Sequence, residues 1–182
     1  MEKKHGPWTI VESEQKYRHK LVEVREDQVI KPDGTPGTYA TVKVKAGVSV
    51  LALDEDGMVR LAKEFRYAIG RYSLEVVGGA IEGGEQPVEA ARRELREEMG
   101  IEADEWVELG QVDPLTSIID SPSTLFLARN LTFREKKQEG SERIEVVKLS
   151  MDDAMSMVID SRITHGTSCV LILRANAHMS AR

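Results

Sequence analysis

Three carboxylates, Glu94, Glu97 and Glu98, crowd five positions of the stretch GAIEGGEQPVEAARRELREEMGI, residues 79–101. Side chains three or four apart share a helix face, so Glu94 neighbours both others, and each like-charged pair costs about 0.2–0.5 kcal/mol. Stability does not select such a set. Clustered carboxylate oxygens with backbone carbonyls are instead the ligands of Mg²⁺ or Mn²⁺, whose remaining positions take water and substrate phosphate. The upstream glycines Gly78, Gly79, Gly83 and Gly84 admit close backbone approach or a turn with positive φ. The competing description is a solvated, salt-bridged face, in which Arg92, Arg93 and Arg96 neutralise the glutamates.

A helix must present these residues. Pro87 is tolerated only in a first turn and Gly100 suits the position just past a helix end, so the spacing predicts a helix over 86–99. Val88, Ala91, Leu95 and Met99 fall at intervals of three and four and form one apolar stripe. Glu94 and Glu98 flank that stripe, and Glu97 lies opposite Leu95. Strands are expected at 21–30, at 38–46 where Ala40, Val42 and Val44 alternate with polar residues, and at 48–53, where VSVLAL is apolar on both faces. Asp56-Gly57 marks a hairpin into 58–65. Further strands are expected at 73–77 and near 106–112, 123–129 and 143–149, then a helix capped by Ser150 with Asp153, and a last helix over about 166–178. Residues 1–19 are polar with scattered aromatics, and no strand is assigned there. Hairpin strands, one inserted helix and terminal helices point to an α/β fold of the α+β or α/β/α sandwich kind rather than a doubly wound parallel sheet.

Composition narrows the function. A chain of 182 residues with 41% hydrophobic and 31% charged residues is long enough for a full core. The net charge of −6 argues against a nucleic-acid-coating surface, but not against a small phosphorylated ligand. The one cysteine, Cys169, lies in the apolar run SCVLIL and reads as a buried, inert thiol. The first residues show no apolar run like a signal peptide, and no stretch reaches the about 20 apolar residues of a membrane span, so the cytoplasm is the expected compartment.

Gly79, five residues, Glu85, seven residues, then Arg93-Glu94-Leu95-Arg96-Glu97-Glu98-Met99-Gly100-Ile101 resembles the Nudix box, G-x5-E-x7-R-E-U-x-E-E-x-G-U with U apolar, at every fixed position. The resemblance implies a Nudix α/β/α sandwich with a mixed β-sheet and a loop-helix-loop catalytic box. It further implies a metal-dependent hydrolase of nucleoside diphosphates linked to another group. By the family pattern Glu94, Glu97, Glu98 and the carbonyl of Gly78 would bind Mg²⁺ (or Mn²⁺). Glu85 and Arg93 would pair to hold the loop on the helix, with Gly79 and Gly100 framing the box.

The similarity extends over IKPDGTPGTYATV, LALDEDGMVRLAKEFRYAIGRYSLEVVGGAIEGGE and LFLARNL, which resemble the ADP-ribose pyrophosphatase and nucleoside-diphosphate-sugar hydrolase branch. That branch implies a homodimer in which residues 1–45 exchange between subunits, with 46–182 as the hydrolase domain. It implies Arg66 at the substrate phosphates, makes Glu75, where the branch often has a glutamate before the box, a further substrate-binding candidate, and offers Trp8, Tyr17 and Tyr39 for base stacking. The general base would come from the loop REKKQEGSER, at Glu142 or Glu139, with Glu97, Glu98 and a metal-bound hydroxide as the fallback. Two departures weaken ADP-ribose specificity in particular. Val77-Gly78 stand where the branch has Pro-Ala, and PLTSIIDSPSTLFLA carries Asp120 without a clear glutamate. A broader hydrolase of nucleoside diphosphate sugars, acting on GDP-mannose as well as ADP-ribose, fits as well. A nucleoside triphosphate pyrophosphatase is disfavoured by the long N-terminal segment, and a non-catalytic ADP-ribose sensor by the intact glutamates.

Overall fold

The computed structural model of the chain describes residues 2–135 and 143–181. The elements run β1 (Lys3–His5), β2 (Trp8–Arg18), β3 (Val22–Ile30), β4 (Pro36–Val44), β5 (Gly47–Leu53), β6 (Met58–Arg66), β7 (Arg71–Glu75), β8 (Val77–Ala80), α1 (Pro87–Met99), β9 (Ile101–Val112), β10 (Ile119–Asp120), β11 (Ser123–Phe133), β12 (Glu145–Ser150), α2 (Met151–Ile159) and α3 (Gly166–Ser180). They form two compact units: Met1–Lys45 with Asp113–Pro122, and Ala46–Val112 with Ser123–Arg182.

The first unit is a sheet in the order β1-β2-β3-β4-β10, antiparallel except for β10 on β4. The 11-residue strand β2 corrects the strand-free reading of residues 1–19. From Val11 to Arg18 it is exposed, so it carries no alternation of apolar and polar residues to mark it. Its ladder to β3 holds it, together with charge pairs: Lys16 Nζ lies 3.2 Å from Glu26 across the ladder and 2.6 Å from Glu14 on its own strand.

The second unit is a mixed sheet in the order β12-β6-β5-β11-β9, with β5 and β11 parallel. β5 and β6 pair only at Ala52–Arg60 and Leu53–Val59, next to their hairpin turn. Beyond that, β8 pairs with β5 and β7 with β6. The expected single strand over 73–77 is therefore two strands, separated at the buried Val76, which belongs to neither.

Side chains of β5 alternate between two cores, as the period of two in a strand requires. Val48, Val50 and Ala52 pack with Ala90, Ala91, Leu95 and Met99 of α1, and Leu51 and Leu53 pack with Met151, Leu171, Ile172 and Ala175 of α2 and α3. Helices cover both faces of this sheet, which is why VSVLAL is apolar on both sides. The result is the α/β/α sandwich. Cys169 is half-buried against the second core, its thiol 3.4 Å from the Ile163 carbonyl, and burial pushes its pKa up. Among the described residues no helix is long and apolar enough to cross a membrane.

Candidate active site

The helix α1 is bounded as its punctuation dictates. Pro87 takes the first position, and Gly100 closes the helix at φ 65, its N–H reaching the carbonyls of Arg96 and Leu95. Burial of Ala90, Ala91, Leu95 and Met99 fixes its rotation on the sheet. Glu94 is thereby set at the edge of the buried face with 14% of its side chain exposed, and Glu97 further out at 46%.

Arg93 organises the loop before the helix. Its Nε and Nη2 each lie 3.1 Å from a Glu85 oxygen, and Nη2 also donates to the Ala80 carbonyl at 3.0 Å. Its Nη1 donates to Glu94 at 2.7 Å and to Glu97 at 3.3 Å. Glu85 accepts in addition from the Glu82 N–H at 3.1 Å. The hydrogen bonds from Arg93, then that from Glu82, hold the Glu85 carboxyl below its ordinary pKa. The same fork raises Arg93 further.

The glycines of the loop do different jobs. A methyl group at Gly79 would overlap the Glu94 carboxylate, and one at Gly78 would come within 3.0 Å of the Val48 carbonyl oxygen. Gly84 has φ +84, a left-handed conformation that suits glycine. Gly83 faces open space at ordinary φ and needs neither property.

Glu94 and Glu97 both point an oxygen at one cationic group, the Arg93 Nη1. That is the donor chemistry a divalent cation uses. No three His, Cys, Asp or Glu side chains among the described residues already converge at metal-ligand distance. Part of the carboxylate repulsion is thus relieved by Arg93, so the salt-bridged description holds for Glu94 and Glu97. Arg92 and Arg96 face elsewhere, to Glu89 at 3.5 Å and Glu102 at 3.4 Å. A groove of about 710 Å³ runs past Arg92, Arg96, Glu97 and Trp106.

Arg66 and Glu75 meet directly. Arg66 Nη2 and Nε lie 2.8 and 3.2 Å from one Glu75 oxygen, and Nη1 lies 2.7 Å from Glu64. The charge of Glu98 also reaches Arg66. Only 8% of the Glu75 side chain is exposed. Burial would raise its carboxyl pKa, but the hydrogen bonds from Arg66 and Ser73 outweigh that and hold it below the ordinary value. His165, which the sequence reading passed over, sits with Nδ1 3.5 Å from the same Glu75 oxygen and 2.8 Å from Ser168 Oγ. Its one signal is placement: a histidine at the entry of the last helix, three residues before a serine.

Of the aromatic candidates, Trp8 and Tyr39 come together, ring centroids 5.5 Å apart and edge-on, and line a cavity of about 490 Å³ with Asp27 and Asp120. Tyr17 is exposed and pairs opposite Val24, away from that cavity. Glu139 and Glu142 lie outside the described residues.

The NUDIX domain family matches residues 43–162, and the nucleoside diphosphate sugar hydrolase N-terminal domain matches residues 8–42. The chain is 30% identical over 150 residues to an ADP-ribose pyrophosphatase of Bacillus subtilis, covering 81% of each chain. It is 31% identical over 122 residues to an ADP-ribose pyrophosphatase of Mycobacterium tuberculosis, covering 66% of this chain and 59% of that one. A crystal structure of an ADP compounds hydrolase superposes with a TM-score of 0.85 at 21% identity, over 98% of this chain and 97% of the other.

Proposed function

The chain belongs to the Nudix family, and on that footing we propose that it is a pyrophosphohydrolase of nucleoside diphosphate sugars. It cleaves the pyrophosphate bond of substrates of the ADP-ribose and GDP-mannose type to a nucleoside monophosphate and a sugar phosphate. The observation that carries this reading is the intact box geometry. Glu94 is seated against Gly79, and the Arg93 fork ties Glu85, Ala80, Glu94 and Glu97 into one unit. The two ADP-ribose pyrophosphatases among the relatives support the substrate class.

Glu94, Glu97, Glu98 and the Gly78 carbonyl would hold Mg²⁺, or Mn²⁺ in its place. When bound there, such a cation would supply neutralisation of phosphate charge and a lowered pKa for a bound water. The protein's own part is positioning. Arg93 and Glu85 keep the loop on the helix, Gly79 leaves room for Glu94, and Arg66, paired with Glu75, donates to a substrate phosphate. The base is Glu142 or Glu139, with Glu97 as the fallback. Trp8 and Tyr39 offer aromatic surface to a base, whereas Tyr17 does not share their cavity. Residues 1–45 mediate a homodimer, and the enzyme works in the cytoplasm.

The test is a panel of ADP-ribose, GDP-mannose, UDP-glucose, deoxynucleoside triphosphates and dinucleoside polyphosphates with Mg²⁺, read by phosphate release after phosphatase coupling. Turnover of the sugar nucleotides supports the reading. Turnover confined to triphosphates overturns it.

A further inference from the structure

We infer that His165 is a positioning residue for substrate binding: through Glu75 it sets how firmly Arg66 is held, and so how readily Arg66 turns to a phosphate. The inference rests on the reading of Arg66 as a phosphate-binding residue.

The geometry begins at the break between β7 and β8. Val76 lies in neither strand, and its N–H donates to Ser168 Oγ at 3.0 Å. Ser168 is fully buried in the first turn of α3. His165, at the N-cap of α3, makes no capping bond to the helix backbone with its side chain. Its Nδ1 turns inward to Ser168 Oγ and stands 3.5 Å from Glu75. The start of α3 therefore grips two consecutive residues, Glu75 and Val76, just before the box loop.

Glu75 Oε2 is the shared atom. Arg66 donates to it twice, and Arg66 Nη1 is taken by Glu64. All three guanidinium nitrogens thus face carboxylates, and Arg66 must give up part of this set to meet a phosphate. A neutral His165 brings no charge to Oε2 and leaves Arg66 as its cation. A protonated His165 brings a positive charge to within 3.5 Å of the same oxygen, so Glu75 stays compensated when Arg66 swings away. The charged groups that act on His165 are Glu75 from β7 and Arg66 from β6. Arg71 of β7 bonds the neighbouring Thr164 hydroxyl at 3.1 Å, adding positive charge nearby, and the N-terminal end of α3 adds its own. Burial lowers the His165 pKa first and Arg66 lowers it further, while Glu75 opposes them. The imidazole is therefore neutral at neutral pH and charges on the acid side of its ordinary 6.5.

The experiment has two arms, both on the full chain. His165 is titrated by proton NMR, its resonance among the four histidines assigned by its loss in His165→Asn. Arg66→Gln should raise the His165 pKa and Glu75→Gln should lower it. KM for ADP-ribose is then measured from pH 8 to pH 5.5. In the wild type KM should fall on acidification by at least about threefold, since a proton held more tightly once Arg66 has left favours the released form. In His165→Asn, which keeps a hydrogen-bonding group but cannot titrate, KM should stay flat over that window. A His165 titration unmoved by both charge deletions overturns the positioning role, whatever the activity does. An Arg66→Gln variant with wild-type KM overturns the phosphate role of Arg66 and the inference with it, even where the NMR coupling is seen.

Discussion

Replacing Arg93 by lysine keeps the charge and removes the fork. Arg93 reaches both oxygens of Glu85, the Ala80 carbonyl, Glu94 and Glu97 at 2.7–3.3 Å from three nitrogens. A lysine ammonium is one compact point with three donors and cannot span Glu85 and Glu94 while also capping Ala80. At least two charge-assisted hydrogen bonds are lost. Such bonds contribute about 1.5–3 kcal/mol each, and Arg93, Glu85 and Glu94 are 28%, 18% and 14% exposed. Discounting for that partial exposure leaves about 2–4 kcal/mol for the variant. For a chain of this size each kcal/mol shifts the melting temperature by about 2–4 °C, so Arg93→Lys should melt about 5–15 °C lower. Thermal unfolding followed by circular dichroism, with and without Mg²⁺, reads this directly. A melting temperature within about 2 °C of wild type would show that the fork contributes little, and the account of the box loop would be wrong.

Gly79→Ala pushes a methyl into the Glu94 carboxylate, so it should fold but need far more Mg²⁺ for half-maximal rate, as a metal titration of kcat would show. Glu75 and Glu85 both have pKa values held below the ordinary 4.5. The stability they contribute is complete above 4.5 and is lost as pH falls through their folded values, because the unfolded chain binds protons first. Melts of Glu85→Gln between pH 7 and pH 3 should accordingly lose less stability than wild type; an identical loss would refute the assignment. One of Glu139→Gln and Glu142→Gln should lower kcat by about 10²–10⁴-fold with little change in KM; if both variants and their double keep wild-type kcat, Glu97 becomes the base to test.

What the sequence made legible was whatever packing or punctuation writes into local pattern. α1 could be bounded because Pro87 and Gly100 obey backbone rules that no tertiary contact overrides. The two-sided burial of β5 follows from helices on both faces, and its apolar run says so. β2 was illegible for the opposite reason: exposed from Val11 to Arg18, it is held by its ladder and by charge pairs, neither of which leaves an apolar period. The break at Val76 was hidden because SLEVV has strand character throughout, and only the change of partner from β6 to β5 divides it. Arg66 and Glu75 were visible as separate candidates. Their pairing, and the place of His165 beside them, depends on strands and a helix far apart in the chain, which spacing does not encode.

The central claim is that the box of this chain hydrolyses a sugar nucleotide at its pyrophosphate. Phosphorus NMR of ADP-ribose with Mg²⁺, run with the wild type and with Glu94→Gln, tests it most directly. The pyrophosphate signals should give way to equal amounts of AMP and ribose 5-phosphate with the wild type, and persist with Glu94→Gln and with chelated metal. Intact pyrophosphate signals with the wild type at saturating Mg²⁺ or Mn²⁺, for both ADP-ribose and GDP-mannose, would contradict it.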